Sequence, residues 1–137
     1  ARIPANGGTP EILTRDGASW GRFSPDGSYI AAAFFQPDRT LLLYSAENHQ
    51  LLRKFTVPPT ATSFVGIGWM PNGRSIIYRD TEFGYWVQAI DGGEPQRLGS
   101  MPYELLFNFS WSNDGKYFAF VRGQDFRDVV VLSVAND

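Results

Sequence analysis

The chain has 137 residues, and its 12 Lys and Arg against 14 Asp and Glu give a formal net charge of −2. This balance lacks the basic excess that binds a phosphate backbone, so nucleic-acid binding by this segment is not expected. Cysteine is absent, which excludes disulfides and thiolate metal sites. No apolar run is long enough to span a bilayer, so membrane insertion is not expected either.

A five-residue motif recurs along the chain. It reads FSPDG at 23–27, WMPNG at 69–73 and WSNDG at 111–115, so its glycines are 46 and 42 residues apart. Glycine accepts the positive φ of a tight hairpin, and Asp or Asn bonds its own backbone two residues on, so each motif predicts a turn. The aromatic residue that opens each motif is expected to pack between neighbouring repeats, with Trp111 largely buried.

Short β-branched or aromatic runs, bounded by Gly, Pro, Asn and Asp, predict four strands per repeat and no helix. In chain order the predicted strands are 11–14, 18–22, 29–34, 41–44, 51–55, 64–68, 75–78, 85–90, 94–98, 106–110, 117–121 and 129–132. Four short strands in 42 to 46 residues are typical of one propeller blade. The sequence therefore predicts an all-β fold, a β-propeller segment of about three four-stranded antiparallel blades that makes half of a six-bladed ring.

The predicted boundaries follow from a second repeat. NGGTP at 6–10 aligns with DGGEP at 91–95, so the chain is expected to open with the outermost strand of a blade whose other strands lie elsewhere. Pro10 and Pro95 suit an outer edge strand, where the missing N–H of proline is tolerated. The predicted division is 1–14 for this outer strand, 15–57 and 58–99 for two blades, and 100–137 for a blade without its outer strand.

The two ends of the chain are therefore complementary. Three blades cannot close a ring, because propellers typically need about four to eight. The chain is expected either to be part of a longer array or to close as a head-to-tail dimer, in which strand 11–14 completes the partner's last blade. A longer array is favoured as its origin, and self-association is favoured for the isolated chain.

Segments 23–33 and 111–121 resemble the W-S-P-D-G-K-x-I-A-F repeat of TolB-like β-propellers, and 91–95 resembles the outer hairpin of that family. The middle copy departs at Met70 and Asn72. The resemblance implies recognition or gating, as in bacterial sensor propellers fused to winged-helix regulators or Ser/Thr kinases, and as in the propellers of prolyl-oligopeptidase-type peptidases. It leaves the compartment open, with the bacterial periplasm favoured.

The sequence lacks the usual motifs of hydrolytic catalysis and of metal binding. There is no Gly-x-Ser-x-Gly motif, and the single histidine, His49, is predicted to lie in a solvated turn. One His without Cys does not make a zinc site, and the Asp or Asn of each motif is assigned to turn geometry instead of calcium binding. The segment is therefore predicted not to be an enzyme and to need no metal or cofactor.

Propellers commonly bind ligands at the mouth of the central channel, on loops that lead into the innermost strands. Those loops are 15–20, 58–63 and 101–104. Their polar and aromatic residues are the predicted ligand-binding positions: Arg15, Asp16, Trp20, Thr60, Tyr103 and Glu104. The predicted function is binding or scaffolding of a protein or peptide partner, as a recognition or sensor module. One alternative is an accessory propeller that gates access to a separate serine peptidase domain, and another is a purely structural assembly module.

Overall fold

The computed structural model describes residues 1–13, 18, 20–34, 40–58, 66–80, 84–100, 105–112 and 114–123. These residues form ten strands and no helix, and thus no helix that could cross a membrane. The strands are β1 (Trp20–Phe23), β2 (Tyr29–Phe34), β3 (Thr40–Ser45), β4 (Leu51–Thr56), β5 (Ile67–Trp69), β6 (Ser75–Arg79), β7 (Gly84–Ala89), β8 (Gln96–Ser100), β9 (Leu105–Trp111) and β10 (Phe118–Gly123).

The strands pair antiparallel in three sheets, each built from strands that follow one another in the sequence. The first sheet has the order β1-β2-β3-β4, the second has β5-β6-β7-β8, and the third pairs β9 with β10. The all-β prediction is confirmed, and so is the four-stranded antiparallel unit. The strand predicted at 129–132 lies outside the described residues.

Both faces of the first sheet are buried in its middle strands, which explains why β2 and β3 are apolar throughout instead of alternating. One face packs against the second sheet and includes Ala31, Ala33, Leu41, Leu43 and Phe55 in a cluster with Trp69, Ile76 and Tyr78. The opposite face holds Ile30, Ala32, Phe34, Leu42 and Tyr44, against which Leu13 packs. A sheet buried on both faces is what a stack of blades requires.

The motif turns have the predicted conformation. Gly27, Gly73 and Gly115 have φ values of 75°, 67° and 69°. In the first turn Oδ1 of Asp26 accepts hydrogen bonds from Oγ of Ser24, at 2.6 Å, and from the backbone N–H of residue 28, at 3.1 Å. The third turn repeats this arrangement. In the middle turn the Asn72 amide oxygen accepts only the backbone N–H of Arg74, at 2.9 Å, because Met70 has no hydroxyl group. The assignment of these side chains to turn geometry is confirmed.

One aromatic residue of the motif joins the first two sheets. Trp69 is only 7% exposed. Its ring stacks on Tyr29 with centroids 6.4 Å apart, and its Nε1 donates a 3.1 Å hydrogen bond to the carbonyl of Arg22. In the second motif the aromatic residue therefore packs onto the sheet before its own.

The other two motif aromatics are less fully covered than Trp69, and Phe23 differs from the prediction. Phe23 is 48% exposed, because none of the described sheets precedes the first one. Trp111 is more covered than Phe23 and its Nε1 is buried, which agrees with the expectation that most of this side chain is covered. The residue of the second repeat that is equivalent to Tyr29 is Ser75. Its side chain is too small to cover the Trp111 ring as Tyr29 covers Trp69.

The first thirteen residues contain one isolated antiparallel bridge, between Arg2 and Glu11, and no strand. His49 lies in the turn between β3 and β4, as predicted, but its environment differs. It adopts a left-handed φ of 61°, and its Nε2 is buried without a hydrogen-bond partner among the described residues. The prediction of a solvated ring is therefore wrong, since the ring packs beside Glu11, with Nδ1 3.7 Å from Oε1.

Candidate functional site

Of the six predicted ligand-binding residues, the structure describes only Trp20. The other five, Arg15, Asp16, Thr60, Tyr103 and Glu104, lie outside the described residues. Trp20 opens the innermost strand β1, pairs opposite Ala33, and is 37% exposed. Its placement on an exposed innermost strand agrees with the predicted channel, while its role as a ligand contact stays a prediction.

A cavity of about 390 Å³ lies at the carboxyl ends of the three innermost strands β1, β5 and β9, away from the loops that enter them. Equivalent positions of the three motifs build it. They are the motif aromatics Phe23, Trp69 and Trp111, the residues before them, Arg22, Gly68 and Ser110, and the motif prolines Pro25 and Pro71. The threefold repetition explains how one short motif produces a concave surface that no single repeat could form.

Phe109 forms an aromatic wall of the cavity beside Gly68. A Cβ atom at Gly68 would lie 2.8 Å from Cε2 of Phe109, closer than real Cβ contacts come, so only glycine allows β5 and β9 to approach in this way. The Phe109 ring also meets Tyr85 edge-on at 5.9 Å and Phe118 at 5.7 Å. The rings of Tyr85 and Phe118 therefore fix the position of the Phe109 ring.

The described polar groups of the cavity are mainly donors. The Arg22 guanidinium is solvent-exposed, donates from Nη1 to the carbonyl of Gly21 at 3.1 Å, and lies 6.0 Å from the Trp20 ring centroid. Trp20 and Arg22 can meet because residues two apart share one side of a strand. Nε1 of Trp111 is buried and has no hydrogen-bond partner in the described part of the chain. No described lining residue carries a carboxylate, so the cavity favours an electron-rich ligand.

A second polar cluster lies in the second sheet, at the β6–β7 hairpin. The Asp80 carboxylate is 1% exposed and accepts hydrogen bonds from the backbone N–H of Gly84 at 2.6 Å and from Nε1 of Trp86 at 2.7 Å. Burial, together with the charge of Asp80, raises the pKa of Tyr78 far above its ordinary range. These contacts close the hairpin, and they give the buried carboxylate a structural role.

Sequence reasoning missed Arg22, Phe109 and Asp80. For Arg22 a signal existed, since it precedes the motif aromatic and so occupies the same position as Gly68 and Ser110. For Asp80 and Phe109 no comparable repeat pattern marks the position. The ring neighbours of Phe109 come from other strands, Tyr85 and Phe118, which the fold brings together, whereas the partners of Asp80 lie in its own hairpin.

No protein-family model and no curated protein sequence matches the chain. Solved structures do match: 75% of this chain superposes on the tricorn protease with a TM-score of 0.58 and 15% identity. A putative 6-phosphogluconolactonase from Bacteroides uniformis matches 73% of the chain with a TM-score of 0.54 and 21% identity. Both matched folds are of the propeller type.

The fold is that of a partial β-propeller. The chain spans 10% of the tricorn protease chain and 31% of the lactonase chain, so the likeness covers a portion of each. At 15% and 21% identity, the comparison shows that the chain shares the fold of those proteins and does not extend to their activities.

The prediction that the segment is not an enzyme is wrong by this comparison. The structure from Bacteroides uniformis, matched over 73% of this chain, is named for an enzymatic activity. The missing Gly-x-Ser-x-Gly motif and the single His exclude one kind of hydrolase and leave other chemistries of a propeller open.

Proposed function

We propose that the cavity at the carboxyl ends of the innermost strands recognises a protein or peptide partner that presents an acidic group beside an apolar side chain. The observation that carries the proposal is the composition of this cavity: aromatic walls, the exposed guanidinium of Arg22, and no carboxylate among the described lining residues.

The size and chemistry of the cavity suit such a partner. Ligand pockets commonly have volumes of roughly 300–1,000 Å³, and this cavity is at the lower end of that range, enough for one or two side chains of a larger molecule. Aromatic faces bury apolar side chains, while the Arg22 guanidinium can hold a carboxylate through two parallel hydrogen bonds.

The TolB-like resemblance belongs to the same proposal. Three copies of the turn motif, together with the partial propeller fold, support membership of that group and a role as a recognition or sensor module of a larger bacterial protein. The gating role beside a separate serine peptidase domain stays the alternative prediction, and it would use the same inner surface.

The test uses fluorescein-labelled hexapeptides that alternate Leu or Phe with Glu, and matched peptides with Gln in place of Glu. We expect fluorescence anisotropy to show tighter binding of the Glu series. Arg22→Gln should weaken that binding roughly 10- to 100-fold, the range for loss of a hydrogen bond to a charged group, and should leave the Gln series unchanged.

Arg53→Gln is the matched control, because Arg53 is an exposed arginine on the outer strand β4. The proposal is overturned if neither peptide series changes the anisotropy, or if Arg53→Gln weakens binding as much as Arg22→Gln.

A further inference from the structure

The polar side chains that line the cavity differ in how far the fold already uses their hydrogen-bonding groups. Oγ of Ser112 donates to Asp114 at 2.6 Å and accepts the backbone N–H of Tyr117 at 3.0 Å, both within the third motif turn. Nε1 of Trp69 donates to the carbonyl of Arg22. These two side chains are engaged in holding the fold together, so a ligand in the cavity has to meet others.

Two lining side chains keep hydrogen-bonding capacity, and both are exposed. Arg22 uses a single guanidinium donor among the described residues, from Nη1 to the carbonyl of Gly21. Ser110 donates from Oγ to the carbonyl of Trp111 at 3.3 Å, which leaves the lone pairs of its oxygen able to accept a hydrogen bond. The cavity thus offers donors at Arg22 and an acceptor at Ser110.

An apolar surface lies between these two groups. Arg22 is on β1 and Ser110 is on β9, at equivalent positions of the first and third repeats, and Gly68 of β5 holds this position in the second repeat. Strand β5 contacts β1 through the Trp69 hydrogen bond, and the Phe109 ring of β9 lies directly beside Gly68. Since Gly68 has no side chain, the Phe109 ring supplies the surface at this place.

We propose that the occupant of this cavity is the free C-terminus of a protein or peptide whose last residue is apolar. Such a residue carries three matching groups on one Cα atom. Its α-carboxylate accepts hydrogen bonds from Arg22, its side chain packs on Phe109 and the motif aromatics, and its N–H donates to Oγ of Ser110.

An internal acidic residue matches the cavity less well. It brings the carboxylate without the apolar side chain, because the next side chain along an extended peptide points to the opposite side. A C-terminal residue needs no such neighbour, and its size suits a cavity that holds one or two side chains. The inference rests on the proposed function and names the chemical group of the partner that the site takes.

The test uses peptides without acidic side chains, labelled with fluorescein at the N-terminus and ending in Phe. Each is made with a free C-terminal carboxylate and as the C-terminal amide. We expect fluorescence anisotropy to show that amidation weakens binding roughly 10- to 100-fold, the range for loss of a hydrogen bond to a charged group. Replacing the last Phe by Gly should weaken binding of the free acid roughly tenfold or more, because the apolar side chain is lost.

Two variants separate the two polar contacts. Arg22→Gln should lower the affinity of the free acid to that of the amide, so that amidation makes no further difference. Ser110→Ala should weaken both forms alike, roughly 2- to 10-fold, since both keep the N–H that the hydroxyl accepts. Both positions are exposed, so the variants are expected to fold, which circular dichroism checks. Arg53→Gln is the control and should leave the effect of amidation unchanged.

The C-terminal assignment is overturned if amidation leaves the affinity of the Phe peptide unchanged, or if its effect persists in Arg22→Gln. If the Glu-containing hexapeptides still bind in an Arg22-dependent way, the proposed function stands, with an internal acidic residue as the ligand. If no peptide of either kind binds, both proposals are overturned.

Discussion

Replacing Trp69 with Ala tests the packing between the first two sheets. The side chain is 7% exposed, stacks on Tyr29, and donates a hydrogen bond to the carbonyl of Arg22. Truncating a buried Trp costs about 3–5 kcal/mol of unfolding free energy, of which the hydrogen bond accounts for roughly 1 kcal/mol. Trp69→Phe keeps an aromatic ring but loses the hydrogen-bond donor. Its loss of unfolding free energy should therefore be much smaller than that of Trp69→Ala.

The matched variant is Phe23→Ala, at the equivalent position of the first motif. Because Phe23 is 48% exposed, its truncation gives up only about half of the burial of a core ring and should cost roughly 1–2 kcal/mol.

The assay is urea denaturation followed by far-ultraviolet circular dichroism, with midpoint and slope fitted for each variant. If Trp69→Ala and Phe23→Ala destabilise the protein equally, the reasoning that the motif aromatic packs on the preceding sheet is refuted.

Two further predictions concern the cavity and the turns. Gly68→Ala should destabilise the protein by about 1–3 kcal/mol, because the added methyl group meets the Phe109 ring. Gly21→Ala is the control and should be nearly neutral, since a Cβ atom at Gly21 has open space around it. Equal urea midpoints for the two variants would contradict the close approach of β5 and β9. Hydrogen bonds, chiefly from Ser24, hold the pKa of Asp26 below its ordinary 3.8. A carboxyl group whose pKa is lowered in the folded state stabilises the protein at pH values above its unfolded-state pKa. The difference in Tm between wild type and Asp26→Ala should therefore be full above about pH 3.8 and shrink as the pH falls below it. A difference in Tm that stays constant from pH 6 to pH 2 would speak against this role of the carboxylate.

The repeating part of the fold could be predicted from the sequence because its causes are local. The strand at 29–34 was predicted with the bounds it has, since an apolar run between turn residues has few other solutions. The motif turns were predicted with their positive φ at Gly27, Gly73 and Gly115, because the conformation belongs to the glycine itself. The period of the motif then determined the number of sheets and their order.

The candidate site could be predicted only in part. Trp20 was placed on an innermost strand by architecture, and the structure agrees. The cavity itself lies at the other end of these strands, and its donors, Arg22 and Nε1 of Trp111, were not expected there. A cavity forms where side chains from separate strands leave a space unfilled, and no local sequence pattern predicts this.

The sequence by itself determined the repeat, the turns and the all-β class of this protein, since each arises from interactions within a few residues. Only the tertiary structure decided which motif aromatic is buried: Trp69 is covered by Tyr29, Trp111 is half-covered, and Phe23 is exposed. The same side-chain position has three environments because burial depends on the neighbouring sheet, and that neighbour differs from repeat to repeat.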